Sequence, residues 1–350
     1  MPNISIVEAR NSVTQVLAEV YRERVRTTSF LRSFFPAKEY GTKLISIEVR
    51  RGKEKVAVDV IRGTEGNRNT FSRSTLKQFL PPIYREYFDA TDSDLYDRLY
   101  NATTDISSVD YAAFIEQLYE NLSELQAKIE RAYELQCAQA LTSGIVTLVN
   151  GTNIDFKRKA GSLVDLGSGN YWADSGVDPV TSLTTGARFI REVGKSQGAM
   201  INLLCGRTAL SHLLNNTAVK DRAKFTSYSL DAVHAPQRNS VGASLHGKIT
   251  VDSWEALIWG YPEGYENSSD VWTPYLDPKK VIILPEVTNF QTSYAAVPQL
   301  MTDGTPPVKG AFVFGDFKDT RKATHEFDVQ SAGIALPVAI DQIYTVKVVA

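Results

Sequence analysis

The 350-residue sequence is poor in the residues that usually mark a metal site or a disulfide-stabilised fold. It contains two cysteines, Cys137 and Cys205, whose spacing indicates neither a disulfide framework nor a zinc site. No pair of histidines has the His-Glu-x-x-His spacing of a metalloprotease; the four are scattered at His212, His234, His246 and His325. We therefore predict no bound metal and no other cofactor, and we interpret both cysteines as small buried apolar residues.

Motifs for catalysis are also missing. There is no Gly-x-Ser-x-Gly elbow, Walker loop or Cys-x-x-Cys pair. The Gly167–Gly169 stretch lacks the third glycine of a dinucleotide fingerprint, and no predicted strand leads into it. The acidic cluster that begins at Asp89 and ends at Asp97 lacks the central glycine and the closing glutamate of a calcium loop. The sequence predicts that the protein is not an enzyme, and a soluble enzyme without a recognisable motif is the remote alternative.

The sequence also has no strong excess of either charge and no long apolar run. With 38 basic and 40 acidic residues it is not a basic DNA-packaging chain, so we expect only weak, non-specific contact with DNA. No stretch approaches the ~20 apolar residues of a membrane span. The first residues show no basic segment followed by an apolar core, so no signal peptide is expected, and folding in the cytosol is predicted.

The most regular pattern in the chain predicts one long amphipathic helix, Val109–Ser143. Apolar residues recur at intervals of three and four, and no Pro or Gly interrupts them. Ser107 and Asp110 stand in capping-box register at its start, and Gly144 is suited to end it in a left-handed conformation. The opposite face is acidic, and we expect it to face either solvent or a basic partner; its members are Glu116, Glu120, Glu124, Glu130 and Glu134.

Two segments near the N-terminus carry apolar side chains that must be buried against another part of this subunit or against another subunit. Residues from about Ile6 to Arg26 have a helical apolar pattern without a second apolar layer of their own. Residues Phe30–Pro36 follow, with four large apolar side chains at Phe30, Leu31, Phe34 and Phe35. These side chains must be buried, either as an ordinary core plug or against another subunit.

The next segment predicts a long, basic, two-stranded excursion. Strands are expected at Leu44–Val49 and Val56–Val60, around a turn at Arg50–Lys53, and the tip at Gly63–Asn69 is polar and rich in glycine. Between Glu48 and Lys77 there are eight basic and four acidic residues, a net charge of +4. A two-stranded ribbon is marginally stable alone, so it should rest on another part of this subunit or on a neighbour.

After the long helix, the patterns predict a mixed α/β region from Pro179 onward. It should contain a buried strand within Gly198–Gly206, short helices at Arg207–Asn215 and Val219–Phe225, and strands at Lys248–Val251, Glu255–Trp259 and Lys280–Leu284. Further strands are expected in Ala311–Phe314, His325–Val329 and Ile343–Val349.

Several segments, in this order, resemble the lambda-type major capsid proteins of tailed phages, the capsid protein E family. They are Phe30–Phe35, which is similar to the family's Phe-Leu-Arg-x-Phe-Phe block; the basic excursion leading into Thr75–Pro82; the acidic long helix; and Ser331–Val338 before the last strand. The order of these short motifs carries the resemblance, which covers nearly the whole chain. Residues 151–176 and 254–275 match the family poorly.

The resemblance implies an α+β fold of the HK97 capsid type. It divides the chain into an N-terminal arm (1–40), an extended loop or E-loop (41–80), a peripheral domain (81–180) with a spine helix (109–143), an axial domain (181–298) and a return to the peripheral sheet (299–350). It implies a major capsid protein that assembles into the icosahedral shell around a double-stranded DNA genome. The alternative of the same fold is the shell of a cellular nanocompartment, similar to an encapsulin.

The resemblance also implies partners. The chain should bind itself in hexamers and pentamers of the shell, together with a portal protein and possible decoration proteins, in a virion assembled in the host cytoplasm. Because no long acidic extension precedes the arm, we expect a separate scaffolding protein. Since the E-loop crosses a neighbour's peripheral domain in this fold, we predict subunit contacts at Arg62, Arg68, Arg73, Glu116, Glu120, Glu124, Phe30, Leu31, Phe34 and Phe35.

Overall fold

The computed structural model describes most of the chain, and the structural statements below refer to that part. The described residues are 29–49, 75–91, 108–148, 153–225, 237–238, 242–297, 309–319 and 324–350. The predicted helix near residues 6–26, the capping residue Ser107 and the excursion from 50 to 74 lie outside them.

The described elements alternate between helices and many short strands. The α-helices are α1 (Ser108–Thr142), α2 (Pro179–Glu192), α3 (Arg207–Asn215) and α4 (Thr217–Phe225). The strands are β1 (Ala37–Glu39), β2 (Ile45–Val49), β3 (Thr75–Phe79), β4 (Ile83–Thr91), β5 (Ile145–Thr147), β6 (Asn153–Asp155), β7 (Leu163–Asp165), β8 (Met200–Cys205), β9 (Gln237–Arg238), β10 (Ser244–Val251), β11 (Trp254–Gly260), β12 (Gly264–Glu266), β13 (Trp272–Pro274), β14 (Lys280–Pro285), β15 (Gln291–Tyr294), β16 (Val313–Asp319), β17 (Thr324–Leu336) and β18 (Tyr344–Lys347).

The 35-residue helix α1 confirms the predicted long helix to within one residue at each end. Its apolar stripe packs on a sheet in which the long strand β17 pairs with β16, β4 and β15. Leu122, Ile129 and Tyr133 are buried there against Phe327 and Val329 of β17. Helix α1 ends where predicted, at Gly144, whose φ of 75° is left-handed.

A seven-stranded sheet, in the order β7-β18-β14-β8-β11-β10-β9, forms the second layer. Because side chains alternate along a strand, the two faces of β8 and β14 bury different residues. Leu203 and Ile283 pack with α2, α3 and α4, whereas Leu204 and Ile282 pack in the cluster that holds the last turns of α1. The sheet is therefore covered on both sides and separates the short helices from α1.

The structure confirms the predicted strands of the α/β region and corrects two other expectations. The last strand, β18, was expected to return to the sheet under α1, but it pairs with β14 and β7 in the seven-stranded sheet. Strand β2 pairs with the returning strand β3, and the predicted strand Val56–Val60 lies outside the described residues and stays a prediction. The second correction concerns two glutamates of the acidic face: Glu130 and Glu134 are buried.

Candidate subunit interface

The ribbon of β2 and β3 leaves the body of the subunit from a well-packed base. Ile45 lies opposite Phe79 in the antiparallel register, and its side chain is completely buried. The Phe79 ring contacts the Phe156 ring at a centroid distance of 5.9 Å. Leu44 and Leu80, next to this base, are about half exposed, at 46% and 55%. The packed base orients the ribbon and leaves apolar surface beside it.

The segment before the ribbon is held inside the same subunit. Residues Leu31–Phe34 form one turn of 3₁₀ helix, and the Phe30 ring lies 5.3 Å from the ring of Trp259 and 5.4 Å from that of Tyr261. The Phe35 ring stacks on Phe290 at 5.1 Å. Phe30, Leu31 and Phe35 are thus in the core of one chain and offer no surface to a neighbour. The predicted subunit contact is corrected for these three side chains, because the alternative of a core plug accounts for their burial; Phe34 is partly buried.

Glu134 of α1 fastens this segment to the long helix. Its carboxylate accepts hydrogen bonds from the backbone N–H groups of Leu31 (2.9 Å) and Arg32 (3.1 Å) and from the Tyr261 hydroxyl (2.7 Å). A 3₁₀ turn leaves its first N–H groups without internal partners, so the carboxylate satisfies donors that burial would otherwise penalise. Burial raises the pKa of Glu134 above its usual value, although these three hydrogen bonds oppose the shift.

Arg32 supplies positive charge close to the buried carboxylates. Its guanidinium donates a hydrogen bond to the Tyr294 hydroxyl at 3.2 Å and lies 5.8 Å from the centroid of the Tyr133 ring. Burial alone would lower the pKa of Arg32, but its neighbours Tyr294 and Glu130 outweigh that effect and raise it. The start of the described chain is therefore tied to α1 by both apolar and polar contacts.

The first described turns of α1 have a different character. Glu120 and Glu124 are exposed, as the predicted acidic face requires. Lys128, one turn later, donates to Glu86 of β4 at 2.6 Å. Glu116 lies on α1, but its side chain is outside the described part of the structure.

The sheet of β4, β16 and β17 has both apolar and charged groups on the face that points away from α1. Ile83 and Tyr87 of β4 are more than half exposed there. Between them Arg85 bridges two carboxylates of β17, with 2.5 Å contacts to both Asp328 and Glu326. Within the described residues β4 pairs only with β17, so its other edge has no described partner.

Arg158 connects α1 to the end of the chain. Its guanidinium donates to the carbonyl oxygens of Leu141 (2.8 Å), Ser162 (3.0 Å) and Ile343 (3.1 Å) and to the Thr345 hydroxyl (3.1 Å). The Leu141 carbonyl belongs to the last turn of α1, where a cation is favoured by the helix dipole. Burial lowers the pKa of Arg158 to about 10. The Arg158 side chain passes directly over Gly144, where a Cβ would clash with its Cδ.

The predicted charged contacts involve residues that the structure does not describe. Arg62, Arg68 and Arg73 lie outside the described residues, so their contacts with Glu116, Glu120 and Glu124 stay a prediction. Among the described residues there is no cluster of side chains that could hold a metal ion, and no helix long and apolar enough to cross a membrane.

Sequence reasoning missed the polar residues whose side chains join distant segments inside the subunit. Glu134 and Arg158 have the side chains of surface residues, and neither is marked by a motif. The only signal at Glu134 was its position between Tyr133 and Cys137, where apolar residues occupy more of the helix surface and leave a narrower polar face. No local signal distinguishes Arg158, because its partners are backbone carbonyls distant in sequence.

The fold and sequence were compared with known proteins. The structure resembles that of a protein described as a prophage capsid protein of E. coli CFT073, with a TM-score of 0.63 and 15% sequence identity over 97% of this chain and 99% of that chain. It also resembles a phage-related protein of Bordetella bronchiseptica RB50, with a TM-score of 0.50 and 12% identity over 95% of this chain and 96% of that chain. These likenesses show the HK97 capsid fold. A search of curated sequences finds no match.

The sequence itself supplies the assignment that the distant structural likenesses alone do not give. The profile of the family described as phage major capsid protein E matches residues 12–348, almost the whole chain. The match favours a phage shell over the cellular compartment that was the alternative of the same fold. The chain therefore belongs to the phage major capsid protein E family and is a structural protein that self-assembles into the shell of a virion.

Proposed function

We propose that this subunit forms hexamers and pentamers of an icosahedral shell around the DNA of a tailed phage, and that the ribbon of β2 and β3 binds a neighbour. The observation that carries the proposal is the packed base of this ribbon, whose two paired strands are joined by residues 50–74. Because Val49 and Thr75 are paired, both ends of the intervening 25 residues start from one place, as in an extended loop.

The layered fold supports the division of the subunit into a peripheral and an axial domain. Helix α1 and the sheet of β4, β16 and β17 correspond to the proposed peripheral domain, and the seven-stranded sheet with α2, α3 and α4 to the proposed axial domain. Strand β18 crosses this division, and Arg158 fastens it to the end of α1. We place the ribbon's binding surface on the peripheral domain of the adjacent subunit.

Charge complementarity supports that placement. The stretch from Glu48 to Lys77 has a net charge of +4, while Asp105–Glu134 has seven acidic residues against two basic ones. Glu120 and Glu124 are exposed on α1, where a neighbour's Arg62, Arg68 or Arg73 would reach them. An exposed ion pair contributes only about 0–1 kcal/mol. Repeated around a shell, such pairs steer subunits and fix register more than they raise affinity.

Charge reversal tests this interface. Arg68→Glu with Arg73→Glu should slow assembly, followed by light scattering at low salt where screening is weakest. Adding Glu120→Lys with Glu124→Lys should partly restore the rate, because the attraction is rebuilt with opposite signs. The matched control is Lys279→Glu with Lys309→Glu, which makes the same change in net charge at two exposed lysines elsewhere. Assembly equally slow in the control, or unaffected by the first pair, would contradict the proposed contact.

The remaining partners are part of the same proposal. A shell filled with DNA through one vertex requires a portal protein, and a separate scaffolding protein and a decoration protein fit the same assembly. We expect assembly in the host cytoplasm, with the chain in weak, non-specific contact with packaged DNA. Co-purification of the shell with each of these proteins from infected cells is the corresponding test.

A further inference from the structure

The hairpin of β12 and β13 presents apolar side chains to solvent. In its register Gly264 pairs with Pro274 and Glu266 with Trp272. Val271 and Trp272 are each 57% exposed, although exposing large apolar side chains to water is energetically unfavourable. The hairpin falls in residues 254–275, one of the two stretches that match the family poorly.

The hairpin holds this apolar surface in a defined shape. The Asn267 side chain accepts hydrogen bonds from the N–H groups of Ser269 (2.9 Å) and Val271 (3.1 Å), and the Asn267 N–H donates to the Val271 carbonyl (3.0 Å). The Trp272 indole lies over Gly264, where a Cβ would come within 2.7 Å of the ring. A pre-formed apolar surface binds a partner with little loss of conformational entropy.

The hairpin is also acidic. Glu263, Glu266 and Asp270 are exposed, and no lysine or arginine occurs from residue 263 to residue 275. A partner that matches both properties has an apolar stripe for Val271 and Trp272 and basic side chains beside it.

The sequence before Ser29, the first described residue, has both an apolar stripe and basic side chains. Its apolar stripe consists of Val13, Val16, Leu17 and Val20, and its basic end consists of Arg22, Arg24 and Arg26 with the single acid Glu23 among them. The stripe has no second apolar layer within its own segment, so it must be covered by another surface.

The fold brings Phe30, which follows this segment in the sequence, towards the hairpin. A row of aromatic rings leads from Phe30 to Tyr261 (5.4 Å), from Tyr261 to Tyr275 (6.2 Å) and from Tyr275 to Tyr265 of β12 (5.4 Å). An extended chain spans at most about 3.6 Å per residue, so Arg22, seven residues before Ser29, is within about 25 Å of it. The arginines therefore lie within reach of the acidic hairpin of their own subunit.

From these observations we infer that the hairpin Gly264–Pro274 is the docking site for the N-terminal segment of the same chain. The apolar stripe up to Val20 covers Val271 and Trp272, and the three arginines pair with Glu263, Glu266 and Asp270. The docking fixes the course of the arm before the subunit meets a neighbour. It does not depend on the ribbon contact proposed above.

Limited trypsin digestion of the full-length, unassembled subunit tests the inference. Unassembled protein is isolated by size-exclusion chromatography, and cleavage after Arg22 is followed by mass spectrometry. We expect slow cleavage in the wild type and at least fivefold faster cleavage in Val271→Ala with Trp272→Ala. Glu266→Arg with Asp270→Arg should have the same effect. Adding Arg24→Glu with Arg26→Glu should make cleavage after Arg22 slower than the same two arginine substitutions do with the wild-type hairpin. These two variants share the sequence around the cleaved bond, so the difference reports docking and not the preference of the protease.

The matched control is Val287→Ala, at a side chain that is 78% exposed in the loop after β14 and should leave cleavage unchanged. Rapid cleavage in the wild type, or cleavage equally slow in every hairpin variant, would overturn the docking. If the hairpin substitutions change cleavage only in assembled shells, the occupant is another copy or another protein, and the same-chain docking is wrong. Failure of the ribbon contact would leave all of these rates unchanged.

Discussion

Two stretches of the same helix make a useful comparison. Between residues 129 and 141, α1 is enclosed on most sides, and even its carboxylates Glu130 and Glu134 are buried. Five and nine residues before this stretch, Glu124 and Glu120 face solvent. Four glutamates on one helix therefore have two roles: the later pair belongs to the interior of the subunit, and the earlier pair is available to a partner.

The difference shows what the periodicity of a helix does and does not determine. The apolar stripe identifies the face that packs on β17. It does not show that the opposite face is exposed to solvent, because a second layer of residues can cover that face. Here that layer is the segment Phe30–Phe35 with Tyr261, and Glu134 satisfies its donors. A buried carboxylate with three hydrogen bonds is tolerated where an unpaired one would not be.

The largest expected effect comes from the apolar stripe that both stretches share. Leu122→Ala and Ile129→Ala should each lower the free energy of unfolding by about 2–5 kcal/mol, because both side chains are fully buried against the sheet. Thermal or denaturant unfolding of the purified subunit measures the change. A neutral Leu122→Ala would show that the stripe does not carry the packing assigned to it.

This stripe was predictable from the sequence, and so were the length of α1, its end at Gly144 and the strands of the α/β region. Local periodicity and capping encode these features. The pairing of β18 with β14 was not predictable, because nothing in an apolar strand specifies which sheet receives it. The buried roles of Glu134 and Arg158 depend on backbone groups more than 100 residues away, apart from Leu141 and Ser162 near Arg158, so no local pattern encodes them.

The second prediction separates the buried glutamates from the exposed ones. Glu134→Ala should lower the free energy of unfolding by about 1–3 kcal/mol, because it leaves the N–H groups of Leu31 and Arg32 without their acceptor in a buried site. The matched variant Glu120→Ala, on the same helix, should stay within about 0.5 kcal/mol of the wild type. Equal losses in the two variants would remove the distinction between the two stretches.

The third prediction concerns the end of the enclosed stretch. Gly144→Ala should cost more than the ~1–2 kcal/mol of a left-handed alanine, because its Cβ also displaces the Arg158 side chain. Gly167→Ala is the control: Gly167 has a φ of 76°, close to that of Gly144, but a Cβ there meets nothing within 4 Å. Unfolding free energies that fall equally in both variants would show that Arg158 contributes nothing at this position.

The smallest expected effect is a pH dependence. Burial raises the pKa of Glu134, so the folded subunit holds its proton more tightly than the unfolded chain does. The contribution of this group is then fully present at pH below the usual glutamate value and is lost as pH rises through the raised value. Relative to Glu134→Gln, which does not titrate, the wild type should lose stability over that range. A difference that is constant with pH would contradict the raised pKa.

The central claim is that the subunit folds through the enclosed part of α1 and assembles through surfaces outside it. Deletion of residues 50–71 tests it most directly, because Val49 and Thr75 are paired and Ser72–Ser74 remain as a three-residue hairpin loop between them. Electron microscopy and size-exclusion chromatography should show closed particles for the wild type. The deletion variant should give small, unassembled species with an unchanged unfolding temperature. Closed shells of normal size from the deletion variant would contradict the claim.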